Sequence, residues 1–350
     1  MVGELMHFLI TGHTGFKGSW MTMLLKEFGH TVSGISLDPA PGGIFELGRI
    51  TTLLDVDARL DIRDSGALTA AVGSIRPDVV IHMAAQPLVR ESYADPRLTF
   101  ETNVMGTYNV LEAISSTPSI AASVIVTTDK VYRNAGQRAG YVESDPLGGD
   151  DPYSSSKAMA DLLTQSWIKS FGGAPVAIAR AGNVIGGGDV SKDRLLVDLV
   201  ACFLDGRITE IRYPDAVRPW QHVLDCVNGY RMLVDYLLAG GSETLWNFGP
   251  DQSQAISVRE MADEAVSHWR PEAGWSVATA PKVAEATLLT LDAERARGEL
   301  GWHDLLQYPE SLHWTLDWYR QVAAGADASE LTRQQVRDYM GRAATAAAAS

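Results

Sequence analysis

The stretch that most constrains this chain is Gly12-His-Thr-Gly15-Phe-Lys-Gly18. It lies between a short apolar run at residues 7–11 and a helical pattern reaching about residue 28. G-x-x-G-x-x-G alone is a weak signal. Between a strand and a helix, each glycine has a physical task. The first allows a tight turn, the second lets the backbone approach a pyrophosphate, and the third lets the helix pack close to the sheet. The helix N-terminus then faces the phosphates with its free amides. A chain that begins this way is committed to a βαβ unit and a parallel sheet.

The rest of the N-terminal half fits that commitment. Apolar runs at 31–37, at 58–61, at 78–85, from Val124 onward and at 175–181 read as further strands. Helical patterns separate them, the longest at about 96–116 and 153–171. Near-continuous apolar strands need burial on both faces, so the fold class is α/β, a Rossmann-type doubly wound parallel sheet. The alternation weakens after Gly186, where isolated strands such as TEIRYP and TLWNFGP suggest a smaller mixed substrate-binding region. The expected division is 1–182 for dinucleotide binding and 183–342 mainly for substrate, with some segments returning to the first region. Residues 343–350, AATAAAAS, read as a disordered tail.

Charge and composition exclude several classes. With 29 Lys and Arg against 43 Asp and Glu, the net charge is −14. That argues against nucleic acid and anionic membrane as partners. The two cysteines, Cys202 and Cys226, make no disulfide framework, and reduced thiols in the cytoplasm are expected. No apolar run approaches a membrane span. His13 and His82 lack partners at ligand spacing, so no metal is expected.

Asp38 follows Gly18 by 20 residues, at the end of the second strand. A carboxylate there accepts from the adenosine ribose hydroxyls and repels a 2′-phosphate, which favours NAD. An Asp-Pro turn is the plainer alternative. Asp61 is a candidate for the adenine edge, although a surface carboxylate explains it as well.

The stretch VIVTTDKVY (124–132) delivers Thr128, Asp129 and Lys130 together at the end of a buried strand. A turn would account for them. Asp151-Pro-Tyr153-Ser-Ser-Ser-Lys157 places Tyr and Lys four apart at a helix start, on one face. An ammonium beside a phenol stabilises the phenolate, which can then take a proton from a sugar hydroxyl.

With GHTGFKGSW (12–20), HMAAQPLVRESY (82–93), TNVMGT (102–107), TTDKVY (127–132), DPYSSSK (151–157), RAGNVIGGGD (180–189), KDRLL (192–196), RPWQHVLD (218–225) and WNFGP (246–250), the chain resembles the extended short-chain dehydrogenase/reductases over about residues 7–320. Within them it is similar to the CDP-glucose 4,6-dehydratase family. The resemblance implies oxidation at sugar C4, elimination of water across C5 and C6, and hydride return to C6. It implies Tyr153 as base at C4, Lys157 as its partner and a ribose ligand, and Thr128 as donor to the C4 oxygen. Asp129 and Lys130 take the positions of acid and base in the elimination. Burial should raise the Asp129 pKa so that it can hold a proton. An Asp–Lys ion pair tying down the loop is the alternative.

The same resemblance implies NAD held by Gly12, Thr14, Gly15, Phe16, Gly18, Asp38, Asp61, Ile62, Ala84, Ala85, Asn103 and Thr127, together with Tyr153 and Lys157. It implies Gln86, Arg90, Asn183, Arg194, Arg218 and Asn247 as substrate ligands. It further implies a homodimer, or an oligomer built from dimers, through the helices near 96–116 and 153–171. Three other readings stay open: a dehydratase for a different nucleotide sugar, a C4 epimerase, and an NAD-binding protein without activity. The Asp-Lys pair argues against the epimerase, which needs only Tyr and Lys.

Overall fold

In the computed structural model, residues 4–137, 139–269, 273–278 and 289–349 are described. Six strands alternate with helices: β1 (His7–Thr11), β2 (Thr31–Ser36), β3 (Asp57–Arg59), β4 (Val79–His82), β5 (Ala122–Val126) and β6 (Val176–Ala181). β7 (Asn183–Ile185), β8 (Thr209–Ile211), β9 (Val217–Arg218) and β10 (Trp220–His222) lie outside the main sheet, and β11 (Leu245–Phe248) returns to it. The order is β11-β6-β5-β4-β1-β2-β3, and every pair is parallel. Chain direction across the sheet reverses between β1 and β4. In such sheets the ligand crevice opens there, beyond the carboxyl ends of the strands.

The period of two in each strand feeds two cores. Phe8, Ile10, Val79, Ile81, Val124 and Val126 face one core, with Trp20 and Leu24 from the helix Phe16–Glu27 and Val227 and Leu233 from the helix Val223–Leu238. Leu9, Val80 and Ile125 face the other, against Leu68, Val110 and Leu111. The helix Val223–Leu238, the strand β11 and the C-terminal helix therefore belong to the same body as the N-terminal strands.

Three details differ from the sequence expectations. The third strand is Asp57–Arg59, not a run ending at Asp61, because it is a short edge strand paired only to β2. The expected helix at 96–116 is one helical run that contains a π turn, Glu101–Met105, between Pro96–Phe100 and Gly106–Ser115. The alanine-rich tail expected to be disordered is helical as far as Ala349, the end of the helix Ala328–Ala349. Alanine has the highest helix propensity, so the segment extends a helix that already exists. Ser350 lies outside the described residues.

Candidate active site

The glycine loop is built backbone against backbone. Gly12 has φ +79°, and a Cβ there would meet the Ala84 amide nitrogen at 2.7 Å. A Cβ on Gly18 would meet the Gly12 carbonyl oxygen at 2.2 Å. The loop after β1 thus presses on the loop after β4, which brings Ala84 and Ala85 to the crevice. The helix that follows starts at Gly15 without a side-chain cap, so its first-turn amides face the crevice. Phe16 packs against the core behind it. Thr14 Oγ1 bonds to Ser36 Oγ at 2.7 Å and donates to the Leu37 carbonyl at 3.0 Å, tying the loop to the end of β2.

Asp38 stands exposed beside that end, with Arg59 Nε 3.8 Å away. Asp61 holds Arg63 through bonds of 2.9 and 2.6 Å, and these bonds hold its carboxyl below the usual range. Ile62 is buried, and its carbonyl accepts from Asn109. A glycine cradle under a helix N-terminus, with an exposed carboxylate at the ribose position, fits an NAD molecule.

The opening of the catalytic helix, Pro152–Phe171, is encoded locally. Asp151 caps it by accepting from the Ser154 amide at 2.9 Å, and proline occupies the first turn. Ser92 Oγ accepts from the Tyr153 amide at 3.1 Å and pins the first turn to the segment before it. Tyr153 and Lys157 are both buried.

The run of β5 ends at Val126. Thr128 then caps a 3-10 turn, Asp129–Val131. The opening alternatives, turn or site, are therefore not exclusive: the turn is what presents the groups. Thr128 Oγ1 donates to Asp129 Oδ1 at 2.9 Å. Lys130 Nζ lies 5.8 Å from the centre of the Tyr153 ring. Thr128, Asp129, Lys130 and Tyr153 are thus brought together.

Burial pushes the Asp129 carboxyl above its ordinary value, against the pull of Lys130, Thr128 and Arg218. Burial pushes the Tyr153 phenol up to about 12; Arg194 and a hydrogen bond with Thr128 oppose this, and the Asp129 and Asp151 charges add to it. This corrects the expectation that Lys157 lowers the phenol. Lys157 Nζ instead donates to the Val126 carbonyl at 2.9 Å. Burial and the neighbouring Lys17 bring the Lys157 ammonium down to about 8, while Asp161 opposes them.

Four residues expected as ligands are engaged elsewhere. Asn247 is fully buried; its Oδ1 accepts from the Tyr132 hydroxyl at 2.7 Å and its Nδ2 donates to the Tyr141 carbonyl at 2.8 Å. Asn103, in the π turn, accepts from the Gln86 amide at 2.8 Å and donates to Ser156 Oγ at 2.9 Å. The Gln86 side chain bonds Thr99 Oγ1 and the Leu88 amide, at 2.8 and 2.6 Å. Thr127 Oγ1 donates to Asp161 Oδ2 at 3.1 Å. Each is a buried or half-buried polar group, and each must find protein partners. Through these bonds their side chains fasten the loops that carry the site.

Two of the remaining substrate candidates act on it. Arg194 and Arg218 act electrostatically on Tyr153 and Asp129 respectively. Asn183 lies on β7, beside Trp220 of β10. Arg90 is farther out, in an ion pair with Asp193 at 2.8 Å. Among the described residues, no group of three or more His, Cys, Asp or Glu is placed to hold a metal. His13 bonds Asp57 at 2.8 Å, and His82 lies between Thr11 and Thr107.

Sequence reasoning missed the scaffold under the site. Arg180 is wholly buried in β6 and grips Asp161 through two bonds of 2.8 Å. Its Nη1 also reaches the Tyr132 hydroxyl at 2.7 Å and the Glu143 carbonyl at 2.9 Å. A signal was present: one arginine in the otherwise apolar strand VAIARA must be paired. Asp161 lies one turn beyond Lys157 on the same helix face.

A family model described as GDP-mannose 4,6 dehydratase matches residues 9–313. A CDP-glucose 4,6-dehydratase from Salmonella typhimurium is 40% identical over 95% of either chain. A dTDP-glucose 4,6-dehydratase from Streptomyces venezuelae, solved with NAD bound, superposes with a TM-score of 0.77 at 24% identity, covering 90% of this chain and 97% of that one. A UDP-glucose 4-epimerase from Thermotoga maritima, solved with UDP-glucose, gives 0.79 at 21% identity, covering 91% and 99%. Both structures share the fold.

Proposed function

Because the chain belongs to the GDP-mannose 4,6 dehydratase family of extended short-chain dehydrogenase/reductases, we propose that it is an NAD-dependent hydro-lyase that converts CDP-glucose to CDP-4-keto-6-deoxyglucose. The observation that carries this reading is the meeting of Thr128, Asp129 and Lys130 with Tyr153 in one buried turn-and-helix junction. An epimerase needs a base and a donor at C4 alone. Here two further groups face the same place, as an elimination requires. The 40% identical CDP-glucose 4,6-dehydratase supports cytidine as the nucleoside.

NAD, when bound, supplies reversible hydride removal. Tyr153 takes the C4 hydroxyl proton, and Thr128 donates to the C4 oxygen. Lys157, one helical turn beyond Tyr153 and held by the Val126 carbonyl, binds the nicotinamide ribose. A ketone at C4 acidifies C5–H, and Lys130 is the base that removes that proton. Asp129, whose carboxyl burial pushes above its ordinary value, gives its proton to the departing C6 oxygen. Arg218 and Arg194, with Asn183, hold the nucleotide's diphosphate, for which a planar guanidinium is suited. Residues 1–182 carry the cofactor and the chemistry. Residues 183–342 mainly carry the substrate, and β11 and the helix Val223–Leu238 return to the sheet.

The test is mass spectrometry of CDP-glucose incubated with the protein in D₂O, with UDP-, dTDP- and GDP-sugars in parallel. Loss of one water from CDP-glucose with one deuterium retained at C5 is expected. Water loss only from another nucleotide would move the substrate. Inversion at C4 without deuterium would replace the dehydratase by an epimerase.

We assign a homodimer to the helical run Pro96–Phe100, Glu101–Met105 and Gly106–Ser115 and to the helix Pro152–Phe171, since Met105, Met159 and Leu162 stand exposed along them. Sedimentation of a monomer at working concentration would refute this. Among the described residues, no helix is long and apolar enough to cross a membrane. Both cysteines are free, which suits the cytoplasm; recovery in an osmotic-shock fraction would refute that location.

A further inference from the structure

Gly182 lies half-buried between β6 and β7, just beyond the carboxyl end of β6. Its backbone does not require a glycine, because its φ is not positive. Packing does not require one either, except at a single point. A Cβ on Gly182 would meet Asp129 Oδ2 at 3.2 Å and Asp129 Cγ at 3.8 Å. Among the described residues, and apart from its two chain neighbours, it would meet nothing else within 4 Å. The glycines that follow have other reasons. A Cβ on Gly186 would meet Val223 Cγ1 at 2.6 Å, one on Gly187 would meet the Trp318 ring at 2.2 Å, and Gly188 has φ +75°. Of the four, Gly182 alone faces the buried carboxylate.

We propose that Gly182 is a positioning residue for the elimination: its bare Cα keeps the Oδ2 side of Asp129 open, so that the acid can reach the C6 oxygen as it departs. This rests on the dehydratase reading. Thr128 Oγ1 donates to Asp129 Oδ1 at 2.9 Å. Oδ2 is therefore the oxygen placed to carry the acidic proton, and it is the one turned toward Gly182.

In the elimination, Lys130 takes the C5 proton, and the C5–H electron pair forms the C5–C6 double bond. The C6–O bond breaks with its pair on oxygen, which takes the Oδ2 proton and leaves as water. The hydride removed from C4 then adds to C6, and the proton on Lys130 returns to C5. Before the next turnover Asp129 regains a proton from water, and Tyr153 releases to water the one it took at C4. A methyl group at 182 would stand closer to Oδ2 than ordinary van der Waals contact, so the carboxyl would have to turn or shift. Oxidation at C4 uses Tyr153 and Thr128 and makes no use of that oxygen. The glycine thus governs whether the 4-ketone goes on to lose water, not whether the ketone forms.

The test compares NAD-loaded wild type and Gly182→Ala on two substrates, CDP-glucose and its 6-deoxy-6-fluoro analogue. Fluoride leaves carbon without taking a proton from an acid, so the analogue bypasses Asp129 and keeps the other steps. Formation of the 4-keto product from CDP-glucose by wild type checks the underlying reading separately. On CDP-glucose, Gly182→Ala should form bound NADH within about twofold of the wild-type rate and lose water about tenfold or more slowly. NADH absorbance should therefore build up in the variant. On the analogue, the two proteins should release fluoride at rates within about twofold of each other. Equal water loss in the two proteins would overturn the proposal. So would NADH formation or fluoride release slowed as much as water loss, since the whole cleft would then be distorted. Should Gly182→Ala not fold, Asp129→Ala is added, which removes the carboxylate that the new methyl group meets. The double variant should then fold as Asp129→Ala does, and one that stays unfolded overturns the proposal.

Discussion

Replacing Arg180 by methionine should be among the most damaging single changes outside the crevice. Both Arg180 and Asp161 are fully buried, and the guanidinium meets the carboxylate through two bonds of 2.8 Å. Methionine keeps the aliphatic stem but leaves Asp161 with Thr127 Oγ1 at 3.1 Å and Gln165 Nε2 at 2.8 Å as donors and no cation. Breaking a buried pair from one side costs about 3–5 kcal/mol. The Glu143 carbonyl also loses its donor, adding roughly 1 kcal/mol. Against a typical folding stability of about 5–15 kcal/mol, that is roughly a quarter or more. The assay is urea unfolding followed by tryptophan fluorescence on ligand-free protein. Arg180→Met should lose about 4 kcal/mol. The double variant Arg180→Met, Asp161→Leu should lose at least about 2 kcal/mol less than the sum of the single variants, since no charge is left stranded. The loss in Arg180→Met should shrink at low pH, where a neutral carboxyl relieves the stranded charge. A single variant within about 1 kcal/mol of wild type, or an additive cycle, would refute the argument.

Two further predictions concern other sites. Burial lifts the Asp225 carboxyl to about 7, against the Leu305 and Leu306 amides that hydrogen-bond it. A raised folded-state pKa means that the native state binds the extra proton, so its contribution is present at low pH and is lost as pH rises from about 4 to about 7. Relative to Asp225→Asn, wild type should therefore lose up to about 4 kcal/mol across that window by calorimetry, and parallel curves would refute it. In Gly18→Ala the new Cβ, 2.2 Å from the Gly12 carbonyl oxygen, forces the loop to shift. NAD affinity should fall by about tenfold or more in a fluorescence titration, with a destabilisation of about 1–3 kcal/mol, and unchanged binding would show that the loop is not the cradle.

What could be read from the chain alone was local. The glycine loop, the Asp151-Pro-Tyr153 helix start and the apolar run into Thr128 each owe their shape to residues within a few positions, through φ preference, capping and the period of two. That is why β1 falls at His7–Thr11 as expected, and why the glycine loop, Thr128 and Tyr153 fall at the strand and helix ends where the sequence put them. Where a polar side chain finds its partner is a different kind of question. Asn247 accepts from Tyr132 across 115 positions and Arg180 holds Asp161 across 19, while Asn103 reaches Ser156 across 53. Nothing near these residues in sequence distinguishes a side chain that faces a ligand from one that faces protein. Only the packed fold decides, because burial removes water as a partner and obliges each polar group to take the nearest donor or acceptor that the sheet and helices bring to it. The sequence by itself determined the type of chemistry at the strand ends; the tertiary structure decided that Asn103, Asn247, Gln86 and Thr127 hold that chemistry in place, with Arg180 and Asp161 beneath it.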